Sequence, residues 1–237
     1  MLDPTGRVVM VSGANRGIGL AIARVLHDKG YRVSVGARDT DALETAFADR
    51  TGDRLVIARY DAGDRQTHTD WVAATLARFD RLDALVNNAG TSNRFSIETG
   101  DEAELDALWT TNVKGPLFLT RTCLPHLKAS GSGRIVNVGS LSGKRVRNDN
   151  IAYNMTKYAV MALTHGTRRL GWDDGVRATA LCPSFVATDL TADVTKVART
   201  EMIQPEDLAE LAATVIALPN SASIAEMLVN CRLEDTL

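Results

Sequence analysis

A tyrosine and a lysine stand four residues apart, at Tyr153 and Lys157, and on a helix this spacing puts them on the same face. Upstream of them, Ser140 closes a strand-like run over residues 133–140. A phenol can give or take a proton, an adjacent ammonium favours the phenolate, and a hydroxyl can donate a hydrogen bond to a substrate oxygen. Together these side chains predict acid/base chemistry on a carbonyl or an alcohol.

A glycine-rich segment near the N-terminus joins a predicted strand to a predicted helix. The run over residues 7–12 leads into residues 13–19 (GANRGIG), and residues 20–26 follow helical spacing. Glycines there let the backbone approach a pyrophosphate, and the helix N-terminus favours its charge. The spacing Gly-x-x-x-Gly-x-Gly differs from Gly-x-Gly-x-x-Gly. Its strand–turn–helix context still predicts a dinucleotide site, with a glycine turn that binds nothing as the alternative.

The second predicted strand, residues 31–38, should end beside the adenosine ribose of a bound dinucleotide. An acid at this place is typical of NAD enzymes, whereas an arginine accommodates the 2′-phosphate of NADP. Arg38 fills the place, and Arg16 points to the same region. Two guanidiniums can hold a phosphate by charge-assisted contacts, which favours NADP(H). In the alternative both arginines are solvated and Asp39 binds the ribose of NAD(H).

Polar residues also follow later strands. Asp61 could accept a hydrogen bond from the adenine amino group or cap the next helix. Asn87 could tie neighbouring strands together, and the small residues of 88–90 would let backbone lie against a cofactor. Asn112 stands in an apolar helical pattern that Gly115 and Pro116 interrupt, so it either turns inward or caps a helix.

Strands alternate with helices along the chain, which predicts an α/β fold. The expected architecture is a Rossmann-type doubly wound parallel sheet of about seven strands with helices on both faces, in one domain over residues 1–237. Helices are predicted near 64–80, 102–109, 151–172 and 205–218, and a last strand at 225–230. Ligands of such sheets bind outside the carboxyl ends of the strands, so the polar residues above should converge on one crevice.

Three segments near that crevice are predicted to recognise the substrate: residues 91–96, 141–150 and 184–197. The last is polar and threonine-rich, as expected of a mobile lid. Lys144, Arg145 and Arg147 could bind an anionic substrate, although a solvated loop is the commoner role for such charges. None of the segments identifies a chemical group beyond a small aldehyde, ketone or secondary alcohol.

The bulk composition excludes several functional classes. A net charge of −2 gives no electrostatic signature of binding to nucleic acid or to an anionic membrane. Apolar runs stay well short of the ~20 residues that span a bilayer, and the N-terminus lacks a signal-peptide pattern. The three cysteines are widely spaced and the histidines lack metal-ligand spacing. These features predict a cytoplasmic protein without a metal.

Five segments together resemble the short-chain dehydrogenase/reductase family, in its compact single-domain branch. They are residues 12–19, residues 87–90, Asn112, Ser140 with Tyr153 and Lys157, and residues 183–188. The resemblance implies a catalytic tetrad of Asn112, Ser140, Tyr153 and Lys157. It also implies a nicotinamide cofactor bound by Gly13, Asn15, Arg16, Gly17, Ile18, Gly19, Arg38, Asp61, Ala62, Asn88, Ala89, Gly90, Tyr153, Lys157, Pro183, Val186 and Thr188.

The resemblance also implies roles for the tetrad. Tyr153 would be the acid in reduction and the base in oxidation, and Lys157 would also hold the nicotinamide ribose. Ser140 would bind the substrate oxygen, and Asn112 would organise a water-linked proton path. Thr188 would contact the carboxamide. Ser184 stands where the family usually has glycine, and the C-terminus lacks the usual glycine pair.

The resulting expectation is an NADPH-dependent carbonyl reductase, forming a homotetramer or homodimer through helices around residues 112–130 and 151–172. An NAD-dependent alcohol dehydrogenase of the same family is the alternative. A cofactor-sensing regulator without catalytic activity would keep the fold, but such proteins typically lose the tyrosine or the lysine, and this chain keeps both.

Overall fold

A computed structural model describes residues 1–50 and 52–233. The strands are β1 (Val8–Ser12), β2 (Arg32–Ala37), β3 (Leu55–Arg59), β4 (Ala84–Asn87), β5 (Arg134–Val138), β6 (Arg177–Pro183) and β7 (Glu226–Val229). The α-helices are α1 (Gly17–Asp28), α2 (Thr40–Ala46), α3 (Arg65–Phe79), α4 (Glu102–Trp109), α5 (Gly115–Ala129), α6 (Ile151–Gly171) and α7 (Pro205–Ala217).

All seven strands form one parallel sheet in the order β3-β2-β1-β4-β5-β6-β7. The chain winds outward from β1 in both directions, so a crevice opens where β1 and β4 separate at their carboxyl ends. The predicted Rossmann-type doubly wound sheet is confirmed.

Burial on both faces explains why the strands read as apolar runs. Every residue of β1, β5 and β6 is buried. One face packs against α1, α2 and α7, with Ile22, Leu43 and Ile216 in the core. The other packs against α3 and α5 through Trp71 and Leu119. Loops at the strand ends are therefore held by a rigid, two-sided core.

Buried amides tie the central strands together beneath the crevice. Asn87 and Asn137 lie opposite each other in β4 and β5. Asn87 Nδ2 donates to Asn137 Oδ1 at 2.8 Å and to Thr120 Oγ1 of α5 at 2.9 Å. Asn137 Nδ2 donates to Thr164 Oγ1 of α6 at 2.8 Å. This confirms the prediction that Asn87 joins neighbouring strands, and it fixes α5 and α6 on the same face.

Two local features differ from the sequence prediction. The short helix α2 was not predicted; it starts at Asp39, whose Oδ1 accepts from the Ala42 N–H at 3.0 Å. Residues Thr110–Lys114 form a π-helical turn between α4 and α5. Pro116 lies in the first turn of α5, directly after the π-helical turn. The distortion therefore precedes the proline instead of lying at it.

None of the helices within residues 1–50 and 52–233 is long and apolar enough to cross a bilayer. Over the same residues, His, Cys, Asp and Glu side chains form no cluster of three or more that could hold a metal ion. Cys123 and Cys182 are buried free thiols, and Cys231 is half-buried.

Candidate active site

The glycine segment turns sharply between β1 and α1. Gly13 and Gly17 have φ of 65° and 56°, in the left-handed region that favours glycine. A Cβ at Gly13 would lie 2.9 Å from Ala89 Cα, so only glycine allows this approach to the end of β4. At the N-cap Arg16, no described side chain accepts a hydrogen bond from the first turn of α1. These N–H groups can therefore bind an anion.

The loop after β4 is locked onto the glycine segment by reciprocal hydrogen bonds. Ser12 Oγ accepts from the backbone N–H groups of Asn88 at 3.0 Å and Ala89 at 3.1 Å. Asn88 Nδ2 donates to the carbonyls of Ser12 at 3.0 Å and Gly13 at 3.1 Å. Gly19 packs beneath this contact, where a Cβ would collide with Asn88 Nδ2 and Gly13 O. Ser12 is a positioning residue that the sequence alone did not single out.

The acids at the ends of β2 and β3 have different local roles. Asp39 caps α2. Asp64, not Asp61, caps α3, because its side chain accepts from the Gln66 N–H. Asp61 Oδ1 accepts from the Gly63 N–H at 2.9 Å, which leaves its carboxylate in the turn beside the cleft. The helix-cap alternative for Asp61 is therefore wrong.

The two arginines that were predicted to select NADP(H) both line the same cleft. Arg16 Nη1 forms an exposed ion pair with Asp189 Oδ2 at 3.0 Å. Arg38 is exposed at the end of β2. Because the Arg16 pair is solvated, the interaction is weak and a competing anion can displace Asp189.

The first turns of α6 carry the tyrosine and the lysine. Tyr153 is half-buried and Lys157 is buried, with Nζ 5.5 Å from the centre of the Tyr153 ring. Lys157 Nζ donates to Val138 O at 2.9 Å, which anchors it to the end of β5. The lysine is therefore fixed beside the tyrosine ring, on the cleft that both residues line.

Ser140 lies in the loop between β5 and α6, with its side chain half-buried at the cleft. Its Oγ accepts from the Ser142 N–H at 3.0 Å and so caps the 3-10 turn Leu141–Gly143. The hydroxyl proton remains available for donation to a substrate oxygen. Gly143 closes the turn against the backbone of Lys157. The turn thus sets the position of Ser140 relative to α6.

Asn112 occupies the π-helical turn and is 2% exposed. Its Oδ1 accepts from the Thr91 N–H at 2.9 Å, and its Nδ2 donates to Thr91 O at 2.8 Å and to Thr156 Oγ1 at 3.2 Å. The side chain turns inward, so the helix-cap alternative is wrong. It links the loop after β4 to α6 one residue before Lys157.

These elements surround one cleft of about 1220 Å³ at the carboxyl ends of the strands. Of the predicted site residues, the cleft is lined by Gly13, Asn15, Arg16, Gly17, Ile18, Arg38, Asp61, Ala62, Asn88, Ala89, Gly90, Ser140, Tyr153, Lys157, Pro183, Val186 and Thr188. Gly19 and Asn112 lie behind its wall.

Burial keeps two other groups at the cleft neutral. It raises the pKa of the Cys182 thiol, behind Ser140, to about 11. It also raises the pKa of Tyr60, which lines the cleft. Neither group supplies a charged nucleophile or base at neutral pH.

Sequence reasoning missed the contribution of the C-terminal segment. Arg232 lines the cleft although it follows β7, far along the chain from the other site residues. Ser184, the departure from the family glycine, holds this segment: its Oγ accepts from the Cys231 N–H at 3.0 Å and contacts Cys231 Sγ at 3.2 Å. The sequence holds no local signal for this long-range contact.

The doubly wound sheet and its cleft define a Rossmann-type α/β protein. Residues 7–198 match the short chain dehydrogenase family, to which the chain belongs.

Curated relatives agree with this assignment. The chain is 44% identical to an agropine synthesis reductase of Rhizobium rhizogenes over 228 residues, which are 96% of the chain and 53% of that protein. The chain thus spans about half the length of this relative. An uncharacterized oxidoreductase of Staphylococcus saprophyticus is 32% identical over 232 residues, 97% of this chain and 99% of that protein.

Solved structures share the fold over nearly the whole chain. An alcohol dehydrogenase from Thermococcus sibiricus, complexed with 5-hydroxy-NADP, has a TM-score of 0.86 at 27% identity, covering 94% of this chain and 95% of that one. A 3-ketoacyl-(acyl-carrier-protein) reductase from Brucella melitensis, complexed with NADH, has a TM-score of 0.88 at 28% identity. The match covers 96% of this chain and 98% of that one.

Proposed function

We propose that this protein is an NADPH-dependent carbonyl reductase in which Tyr153 gives the proton to the carbonyl oxygen. The observation that carries the proposal is the position of Tyr153, Lys157 and Ser140 on one cleft with the glycine segment. The agropine synthesis reductase, by its name, works in the reductive direction, which supports the same direction here.

The lining of the cleft supports the binding of a dinucleotide. The N–H groups at the start of α1 have no side-chain cap and Gly17 and Ile18 of this turn line the cleft, so these groups would hold a pyrophosphate. Arg16 and Arg38 would bind the 2′-phosphate of NADPH, and Asp61 would accept a hydrogen bond from the adenine amino group. Lys157 would hold the nicotinamide ribose. Val186 and Thr188 would contact the carboxamide of the nicotinamide. When bound, the nicotinamide supplies the hydride.

The remaining chemistry belongs to the chain. Ser140 donates a hydrogen bond to the carbonyl oxygen, where negative charge develops. The Tyr153 hydroxyl protonates that oxygen, and the Lys157 ammonium stabilises the phenolate left behind. Asn112 acts as a positioning residue, since its side chain fixes the loop at Thr91 to α6 through Thr156.

An NAD-dependent alcohol dehydrogenase is the second candidate, and one contact favours it. Asp189 already engages Arg16 at 3.0 Å, so a 2′-phosphate has to compete with a carboxylate for this guanidinium. With Arg16 occupied, discrimination against NAD(H) would rest on Arg38 alone.

Titration with NADPH and NADH, followed by nicotinamide fluorescence, separates the two candidates. NADPH is expected to bind roughly tenfold or more tightly, because two guanidiniums meet the added phosphate, and Arg38→Gln should reduce that ratio. Tighter binding of NADH would contradict the assignment of the arginines. Failure to bind either nucleotide would contradict the oxidoreductase site itself.

Tyr153→Phe tests the proton donor. We expect loss of turnover by roughly a factor of 100 to 10,000, the range for a general acid, with NADPH binding nearly unchanged. Tyr158→Phe is the matched control, because this tyrosine is 45% exposed on the same helix and lies outside the cleft lining. Full activity of Tyr153→Phe would remove the phenol from the mechanism.

We also propose association into a dimer or tetramer through α5 and α6. Leu117 on α5 is 38% exposed and Met155 on α6 is 46% exposed, as expected of residues that a second subunit covers. Light scattering coupled to size-exclusion chromatography tests this, and a monomer at micromolar concentration would contradict it.

A further inference from the structure

Asn150 directly precedes the helix that carries Tyr153, and both residues line the cleft. The Oδ1 of Asn150 accepts a hydrogen bond from the Tyr153 N–H at 3.3 Å, so this side chain caps the first turn of α6. The Asn150 carbonyl accepts from the backbone N–H of Asn154 at 3.1 Å and from Asn154 Nδ2 at 2.7 Å. Because Asn154 is 1% exposed, these bonds fasten the capping residue to the buried side of the helix.

The same side chain holds the loop that follows β4. Asn150 Nδ2 donates to Ser92 Oγ at 3.1 Å and to Asn93 O. Ser92 lines the cleft as well, and it belongs to residues 91–96, one of the segments predicted to recognise the substrate. One amide group therefore joins a wall of the cleft to the helix of Tyr153.

A buried set of hydrogen bonds makes the same connection behind the cleft. Asn112 binds both backbone groups of Thr91 and donates to Thr156 Oγ1. Thr156 Oγ1 in turn donates to Tyr153 O at 2.8 Å. Side chains that are joined to the loop thus hold both the N–H and the carbonyl of Tyr153. The position of the loop and the position of Tyr153 are consequently set together.

Asparagine suits this place better than the other residues that cap helices. Aspartate and serine are comparable caps, but a carboxylate has no donor, and serine has a single hydroxyl donor on a shorter side chain. Asparagine gives an acceptor to the helix and two N–H donors to the loop at once. Ser92 Oγ and Asn93 O use both of these donors. Replacement of Asn150 can therefore separate the cap from the tie to the loop.

We infer that Asn150 is a positioning residue that fixes Tyr153 for proton transfer and holds Ser92 in place for binding of the carbonyl substrate. The inference deepens the proposed reductase function and rests on it. A loop released from Asn150 has to be ordered when the substrate binds, which raises KM. A frayed first turn displaces Tyr153, and a misplacement near 1 Å lowers kcat by up to roughly a factor of 100.

Two substitutions separate these effects in steady-state kinetics with NADPH and either benzaldehyde or ethyl acetoacetate. Asn150→Ser keeps a capping oxygen but is too short to hold the loop, so we expect KM for the carbonyl compound to rise about fivefold and kcat to stay within about twofold. Asn150→Ala removes both roles, so kcat should also fall by roughly a factor of 10 to 100. Wild-type kcat and KM in Asn150→Ala would overturn the inference. An equal fall of kcat in both variants would overturn the assignment of the cap to the position of Tyr153.

Asp64→Ala is the matched control, because it removes the cap of α3. Asp64 Oδ1 accepts from the Gln66 N–H at 3.1 Å, and Asp64 lies outside the cleft lining. This variant should lose thermal stability as Asn150→Ala does, while kcat and KM keep their wild-type values. The same loss of kcat in both variants would show that Asn150 acts only through the stability of the fold, and would overturn its positioning role.

Limited proteolysis separates this inference from the proposed function. Arg94 is exposed in the loop, so the rate of trypsin cleavage after it, followed by mass spectrometry, measures how freely the loop moves. We expect this cleavage to accelerate about fivefold or more in both Asn150 variants, and to be unchanged in Asp64→Ala. Unchanged cleavage in both Asn150 variants would overturn the tie whatever the activity. Faster cleavage in the variants of a protein that reduces neither carbonyl compound would overturn the reductase proposal and leave the tie between loop and helix standing.

Discussion

Replacing Gly143 by alanine tests whether the turn after Ser140 sets the geometry of the active site. Gly143 closes that turn directly against α6. A Cβ at this position would lie 2.6 Å from the carbonyl oxygen and 2.8 Å from the carbonyl carbon of Lys157. Ordinary contacts begin near 3.4 Å, so turn and helix must separate by about 0.8 Å (3.4 − 2.6). Both contacts are with backbone, so no side-chain rotation can relieve them.

The separation has two expected effects. Overpacking of this kind lowers the free energy of unfolding by about 1–3 kcal/mol. It also moves Ser140 away from Tyr153, and a misplacement near 1 Å lowers turnover by up to roughly a factor of 100. NADPH affinity should fall by less than turnover does, because the turn meets only Lys157 among the proposed cofactor ligands, whereas the glycine segment and Arg38 would still hold the phosphates.

Urea unfolding, NADPH titration and kcat for the best carbonyl substrate measure these effects separately. Gly166→Ala is the matched control: Gly166 lies inside α6, and a Cβ there meets no described atom within 4 Å. It should raise the free energy of unfolding by up to about 1 kcal/mol and leave kcat unchanged. If Gly143→Ala keeps wild-type kcat despite its loss of stability, the turn does not set the catalytic geometry. Unchanged stability would show that the close contact itself is absent.

Two further predictions concern stability. Asn137→Ala should lower the free energy of unfolding by about 1–3 kcal/mol in urea, because it leaves the buried Nδ2 of Asn87 with one partner fewer; a loss below ~0.5 kcal/mol would contradict it. The hydrogen bond from Lys144 lowers the pKa of Glu226 below its ordinary value, because it outweighs the burial that raises this pKa. The ionised carboxylate therefore stabilises the fold above the unfolded pKa, and that contribution is lost as pH falls through the lowered folded value. Melting curves of wild type and Glu226→Gln should accordingly differ at neutral pH and converge below roughly pH 4, and a constant difference would contradict the pairing.

The sheet could be predicted from the sequence because parallel strands are buried on both faces and leave long apolar runs. The catalytic helix and its Tyr153 and Lys157 followed from spacing within one element. The helix α2 was missed because it has only seven residues, too few to show a helical period. Its signal was Asp39, a residue type that favours the N-cap of a helix.

Features that depend on distant partners could not be predicted. Nothing near Asn112 in the sequence reveals that Thr91 and Thr156 would surround it, since a π-helical turn has no composition of its own. The ion pair between Arg16 and Asp189 joins residues 173 positions apart. The position of Arg232 depends on Ser184, which in the sequence was visible only as a departure from the family pattern.

The π-helical turn at Thr110–Lys114 also fixes the length of this part of the chain. A π turn holds one residue more than an α turn, and each residue advances a helix by about 100°. Deleting one residue there would restore an unbroken α-helix but rotate all of α5 by that angle. The stripe formed by Leu119, Cys123 and Leu127, now fully buried on the sheet, would then face sideways. We therefore expect the segment to tolerate substitution more readily than deletion. Loss of the extra residue that turns Asn112 inward would disrupt the core packing of α5.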